Sequence, residues 1–214
     1  MNYLKDNPDW LVIDVGANIG QYSLLAAKYE RKVLSVEPFI DNIYRFRKSA
    51  KTENIGKNIV LIQNAVSSKR NEVKLLSTDI SNIAGQSLLG NKQKEFKMDP
   101  TNKYLVETIL LDDIVPYLPK QIDGSDFKNA IMKIDIEGFE PYAFSNARLL
   151  FEKIDIRVIH MEWGYLIKQP DNRDLVLDMV NFLYARDFKA YVPISMKLLQ
   201  SNIKNWPNDV IWRK

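Results

Sequence analysis

A doubly wound α/β fold on a mostly parallel sheet is what this sequence predicts, and three observations predict it. Strand-length apolar runs alternate with longer amphipathic segments along most of the chain. The runs are nearly continuous in Val, Ile and Leu, as in "WLVIDV" (10–15) and "AIMKIDIE" (130–137), which is the pattern of strands covered on both faces. Two short runs near the end, "KAYVP" (189–193) and "DVIWR" (209–213), suit an antiparallel edge hairpin.

Each element follows in order. "WLVIDV" leads into a helical pattern near 19–30. "KVLSVE" (32–37) leads into a helix over about 40–54, where Ile40, Ile43, Tyr44 and Phe46 recur at helical spacing. Then come "IVLIQNAV" (59–66), "EVKLLS" (72–77), "YLVETILL" (104–111) and a short helical turn from Asp112. Asp112 and Asp113 are expected to cap that turn. "AIMKIDIE" precedes a helix near 139–152, and "RVIHMEW" (157–163) precedes another near 173–187. Residues 79–103 break the alternation, being polar, Gly-containing and long for a connection, which marks a lid or insertion loop in one domain spanning 1–214.

Composition narrows the function. With 46% apolar and 27% charged residues, the 214-residue chain can bury a full core. Its net charge of +3 is mild and the basic residues are scattered, which argues against a nucleic-acid partner. No cysteine and one histidine exclude disulfides, thiolate metal sites, cysteine nucleophiles and multi-histidine metal sites. No run approaches a membrane span, "MNYLKDNPDW" lacks an apolar signal core, and no glycosylation sequon occurs. A soluble protein without membrane contact is expected, either cytoplasmic or the catalytic part of a longer secretory-pathway protein. The sequence does not specify the oligomeric state.

The turn after the first strand, Asp14-Val15-Gly16-Ala17-Asn18-Ile19-Gly20, lies where such sheets bind ligands. Gly16 permits the tight turn, and Gly20 lets the helix start approach the ligand. A dinucleotide fingerprint requires G-x-G-x-x-G, so that a pyrophosphate can rest on the helix N-terminus. The spacing here is G-x-N-x-G, and no G-x-x-x-x-G-K-[ST] occurs. Asp14 at the mouth of the turn would repel a phosphate. Glu37, ahead of Pro38 at the end of the second strand, can accept bonds from two ribose hydroxyls. The two carboxylates favour a cationic nucleoside without phosphate, S-adenosylmethionine.

A second constellation falls on the strand Ile131 to Gly138, whose alternate residues are Lys133, Asp135 and Glu137. His160 and Glu162 alternate in the same way on the following strand. Ionisable groups on a covered sheet are costly unless paired or at its open edge, so these groups read either as a buried network or as chemistry. Methyl transfer to an acceptor that carries a proton needs a base to take it. Glu137, Glu162 and His160 are the alternatives, with Lys133 beside them, and Asp135 is placed nearer the methionine amino group. A magnesium site would need carboxylates and an amide converging here, and no metal is assigned. Tyr165, Trp206 and Trp212 are expected in the core rather than stacked on a sugar.

"VIDVGANIGQYSLLAAK", "VLSVEPF", "NAVSS", "GQSLL", "VETILLDDI", "MKIDIEGFE" and "VIHMEW" occur in an order that resembles FkbM-type methyltransferases, over about residues 10–190. The resemblance implies a Rossmann-like class I methyltransferase fold and O-methylation of a small-molecule, sugar or glycan hydroxyl. It also implies that Asn64 and Ala65 contact the adenine. Ser87, in the long loop, is expected over the cofactor or acceptor. Two rivals stand beside this reading. A nicotinamide oxidoreductase is opposed by the turn spacing and by the lack of a Ser-Tyr-x-x-x-Lys pattern, and a non-catalytic binding module by the intact acidic set.

Overall fold

The computed structural model of the chain describes residues 3–77, 87–89, 99, 101–166, 172–200 and 202–214. After a short helix α1 (Tyr3–Asp6), β1 (Leu11–Val15), α2 (Gln21–Lys28), β2 (Val33–Val36), α3 (Ile40–Thr52) and β3 (Ile59–Ile62) alternate. β4 (Ala65–Val66), β5 (Val73–Leu75) and β6 (Leu105–Ile109) follow, then a 3-10 turn over Leu111–Tyr117. The second half contains β7 (Asn129–Ile134), α4 (Glu140–Phe144), α5 (Arg148–Lys153), β8 (Asp155–Glu162), α6 (Arg173–Tyr184), β9 (Lys189–Tyr191) and β10 (Asp209–Arg213).

Seven strands form one sheet in the order β3-β2-β1-β7-β8-β10-β9. The first five are parallel, and β10 runs antiparallel to both of its neighbours. This is the Rossmann-like arrangement expected. The final strand lies inside the sheet, so β9 forms the edge. β1 has every residue buried, because helices cover it on both sides and β2 and β7 flank it. Strand order reverses between β1 and β7, so a crevice opens at their carboxyl ends.

Three local departures from the sequence reading have physical causes. "IVLIQNAV" is two strands: β3 joins the main sheet, while β4 pairs with β6 in a separate sheet of order β4-β6-β5. Asn64 sits at the break, and its Nδ2 donates to the Glu107 carbonyl (3.2 Å), turning the chain onto β6. The helix near 139–152 is interrupted at Asn146, whose carbonyl accepts from the Asp112 amide (3.0 Å) and whose Nδ2 donates to the Ser68 carbonyl (3.2 Å). Tertiary bonds there outweigh a weak helix former. β7 ends at Ile134, so Asp135 and Glu137 belong to the turn beyond it instead of continuing the alternation of Lys133.

Of the expected lid, residues 79–86, 90–98 and 100 lie outside the described residues. Ser87 to Leu89 are described, and Leu88 bridges Leu76. Both acids of "LLDDI" act at helix starts: Asp113 accepts from the Leu110 amide (2.9 Å) and Asp112 from the Leu150 amide in α5 (2.9 Å). Trp163, Trp206 and Trp212 pack together, with Trp206 4.7 Å from Trp163 and 5.4 Å from Trp212 between ring centres. Tyr165 is instead exposed. No helix among the described residues is long and apolar enough to cross a membrane.

Candidate active site

The turn after β1 is pinned from two sides. The amides of Gly16 and Ala17 both donate to the Val36 carbonyl at the end of β2 (2.9 and 3.0 Å). On the other side, Lys133 Nζ donates to the Gly16 carbonyl (2.7 Å). Gly16 has φ +79°, and a Cβ there would lie 1.9 Å from the Asp135 carbonyl oxygen. Its glycine is therefore demanded by the close approach of the chain leaving β7. Asn18 also adopts a left-handed conformation (φ 52°), and its carboxamide oxygen accepts from the Ile19 amide (2.7 Å).

Gly20 has a different reason from the one expected. A Cβ at Gly20 would lie 2.6 Å from the Phe46 ring, so this glycine lets α2 start against α3. Asp14 is also relocated. It is wholly buried beneath the turn, accepting from Ser23 Oγ (2.5 Å), which in turn touches Ser35 Oγ (2.7 Å). Asp14 Oδ1 has no hydrogen-bond partner among the described residues and faces Lys133 Nζ at 3.8 Å. Burial raises the Asp14 pKa, against the charge of Lys133 and the bond from Ser23. For the Lys133 ammonium, burial acts to lower the pKa, but the charges of Asp14 and Asp135 outweigh it, and the net shift is upward. Lys133 lies 3.3 Å from Asp135.

Glu37 is held by three donors. Oε2 accepts from the Asn18 amide (2.9 Å), and Oε1 from the Phe39 amide (3.0 Å) and Asn42 Nδ2 (3.1 Å). Its pKa is raised by burial despite these bonds.

One cleft at the switch point is lined by Gly16, Ala17, Asn18, Glu37, Pro38, Asn64, Ala65, Lys133, Asp135 and Glu137 of the residues the sequence singles out. Tyr22, Asn42, Leu88 and Phe139 line it too and were missed. Asp14, Gly20, Ser87, His160 and Glu162 do not line it. Ser87 Oγ instead donates to the Glu137 carbonyl (3.1 Å), and this anchors the segment that brings Leu88 to the cleft.

Beyond β7 the chain turns sharply, with Glu137 and Gly138 both at positive φ (57° and 94°). The turn returns Glu140, the first residue of α4, beneath Asp135. Glu140 is fully buried, its Oε1 accepting from the Ile136 amide (2.8 Å), and burial pushes its pKa up to about 7. Ile134 pairs with Met161, which brings the residues that follow, Asp135 and Glu162, side by side. Burial, then the charges of Asp135, Glu137 and Glu140, push the half-buried Glu162 up to about 8. Glu137 is also raised, by burial and the charge of Asp135. His160 is lowered by burial, and its Nε2 lies 3.6 Å from Asp209.

The Methyltransferase FkbM domain profile matches residues 14–190. The chain belongs to the FkbM methyltransferase family. No curated protein matches it. Among solved structures it is similar to the O-methyltransferase TomG from Streptomyces achromogenes in complex with SAM, with 10% identity and a TM-score of 0.52, covering 98% of this chain and 75% of that one. A Streptococcus mutans protein in complex with SAH aligns at 16% identity and a TM-score of 0.48, over 96% and 88% of the two chains. An rRNA methylase from Streptococcus thermophilus aligns at 14% identity and a TM-score of 0.46, over 96% and 86%. At 10% identity the likeness to TomG is one of fold.

S-adenosylmethionine is the methyl donor of the FkbM methyltransferases, and the donor set of this cleft fits it. Among the described residues its lining acids are Glu37, Asp135 and Glu137 against one ammonium, Lys133, which is already paired. Such a cleft opposes a pyrophosphate and suits a sulfonium with an amino group. The apolar lining, with Ala65, Val66, Leu76 and Leu88, suits a base.

Proposed function

We propose that this FkbM methyltransferase is an S-adenosylmethionine-dependent O-methyltransferase acting on a hydroxyl of a small molecule or carbohydrate. The observation that carries this reading is Glu137: a half-buried carboxylate of raised pKa, in the same cleft as Glu37 and Asp135. A hydroxyl is a poor nucleophile until its proton leaves, and a base poised nearer neutrality than a free glutamate is suited to take it.

S-adenosylmethionine supplies an electrophilic methyl carbon on a sulfonium. Attack by the acceptor oxygen forms the C–O bond as the C–S bond breaks, and that electron pair stays on sulfur. The acceptor proton passes to the Glu137 carboxylate, leaving a methyl ether and S-adenosylhomocysteine. Asn64 and Ala65 are assigned to the adenine and Pro38 to the ribose, all three lining the cleft. Among the described residues Glu37 Oε2 accepts one bond, from the Asn18 amide, which leaves it able to accept from a ribose hydroxyl. Asp135 is assigned to the methionine amino group. Lys133 and Asp14 hold the turn from below. Glu162 and His160 lie on the neighbouring strand β8. The mild, scattered positive charge favours a hydroxylated small molecule or sugar over a nucleic acid.

Two substitutions separate binding from chemistry. Glu37→Ala is expected to weaken S-adenosylmethionine binding by about 1.5–3 kcal/mol, the worth of hydrogen bonds to a charged group. Calorimetry checks this, and an unchanged dissociation constant removes Glu37 from the ribose site. Glu137→Gln keeps shape but loses the basic oxygen, so turnover should fall by about 10²-fold or more with donor affinity little changed. Transfer of labelled methyl to a panel of sugars, glycans and small alcohols provides the assay. A folded Glu137→Gln protein with near-parental turnover refutes the assignment of the base, and label found only on nitrogen or carbon refutes the hydroxyl acceptor.

A further inference from the structure

We propose that Asp135, Glu140 and Glu162 form a binding site for one divalent cation of the hard, oxygen-seeking class, Mg²⁺ or Mn²⁺. One carboxylate oxygen from each residue lies within 4.8 Å of the other two. That spacing is close to the diameter of the oxygen shell around such an ion, whose metal–oxygen distances are about 2.0–2.2 Å.

The cluster alone would be only a group of acids. A second observation points to a ligand. Glu140 is wholly buried, and its Oε2 has no hydrogen-bond partner among the described residues. Glu162 Oε2 is likewise buried with no partner among the described residues, while the Glu162 carboxyl hydrogen-bonds Asp135 within the cluster. Orphaned buried oxygens are rare and need an explanation, and a bound ion is one of the few available. No Lys, Arg or His among the described residues forms a salt bridge with Glu140 or Glu162. Lys133 is committed to Asp135, Asp14 and the Gly16 carbonyl.

Backbone geometry sets the three acids together. β7 and β8 are parallel neighbours in register, so Asp135 and Glu162 leave the sheet side by side. The turn through Glu137 and Gly138 then returns α4 so that Glu140 enters from a third direction. The Ile136 amide fixes Glu140 through Oε1, as a supporting donor orients a ligating carboxylate. The all-oxygen set favours Mg²⁺ or Mn²⁺ over Zn²⁺. Three protein ligands leave positions for water or for a substrate oxygen.

The site's role rests on the function proposed above. Because Asp135 lines the cleft, an ion held there would replace the methionine amino group as its cationic partner, draw an acceptor hydroxyl toward the methyl carbon and ease loss of its proton to Glu137. The existence of the site does not depend on that role. The test is Mn²⁺ titration of the full chain, freed of metal by chelator, with neither methyl donor nor acceptor, read by electron paramagnetic resonance of free Mn²⁺. One bound Mn²⁺ per chain is expected, displaced by Mg²⁺, with at least tenfold weaker binding in Glu140→Gln and in Glu162→Gln. Circular dichroism checks that both variants fold, and Asp135→Asn replaces either one that does not. No bound Mn²⁺ in the parent protein, or binding unchanged in the folded variants, overturns the site. Hydroxyl methylation at full rate in chelator, by a chain that also takes up no Mn²⁺ once the chelator is removed, overturns the site and leaves the acceptor assignment standing. Stoichiometric Mn²⁺ binding that the variants weaken, without hydroxyl methylation, supports the site and removes only its role.

Discussion

Gly16→Ala should lower stability by roughly 2–5 kcal/mol and abolish measurable donor binding. A left-handed conformation costs a non-glycine residue about 1–2 kcal/mol, and overpacking adds roughly 1–3 kcal/mol. The obstacle is a backbone carbonyl, that of Asp135, 1.9 Å from where the Cβ would be. It cannot move without disturbing the turn that carries Asp135 and Glu137. Gly20→Ala makes an instructive comparison, because its obstacle is the Phe46 ring at 2.6 Å. Adding Phe46→Leu should recover part of the Gly20→Ala loss, whereas trimming Ile136 should not rescue Gly16→Ala. Urea midpoints and calorimetry with S-adenosylmethionine measure both. A Gly16→Ala protein with parental stability and affinity would contradict the close approach of β1 and β7.

Lys133→Met should cost about 3–5 kcal/mol, the penalty for leaving a buried charge uncompensated. The uncompensated group is Asp14, whose Oδ1 has no other partner among the described residues. The pH dependence identifies it. Burial already raises the folded pKa of Asp14, and loss of the Lys133 charge raises it further. A carboxyl whose folded pKa is raised contributes stability that is fully present below its unfolded value and is lost as pH rises through the folded one. The deficit of Lys133→Met relative to the parent should therefore shrink as pH falls toward the ordinary value of 3.8 and be complete well above the folded value. Asp14→Asn added to Lys133→Met should recover much of the loss at neutral pH. A deficit that is the same at pH 4.5 and pH 8 would place the effect elsewhere, in lost packing against Tyr22 or in the Gly16 carbonyl bond.

These two residues show where sequence reasoning stops. Local periodicity and turn chemistry suffice to locate β1, β2, β7 and β8, the turn at Gly16, the acid at Glu37 and the parallel order of the sheet, because each depends on residues close in the chain. The same reasoning puts Asp14 at the ligand, since it precedes a glycine turn, but the packing of α2 supplies Ser23 and the neighbouring strand supplies Lys133, and Asp14 is sealed below. Gly20 reads as a ligand contact until α3 places Phe46 against it.

Glu140 had the faintest signal. It is one more acid at the start of a helix, five residues after Asp135, and helix starts commonly carry acids. The FkbM methyltransferase fold and the acids of its cleft were thus determined by the sequence alone. Which acids are buried, which are paired and which face one another was decided only by the β7–β8 register and the left-handed turn at Glu137 and Gly138. The physical reason is range. Backbone propensity acts over a few residues, whereas desolvation and Coulomb interactions depend on distances set by strands more than a hundred residues apart, as between Gly16 and Lys133.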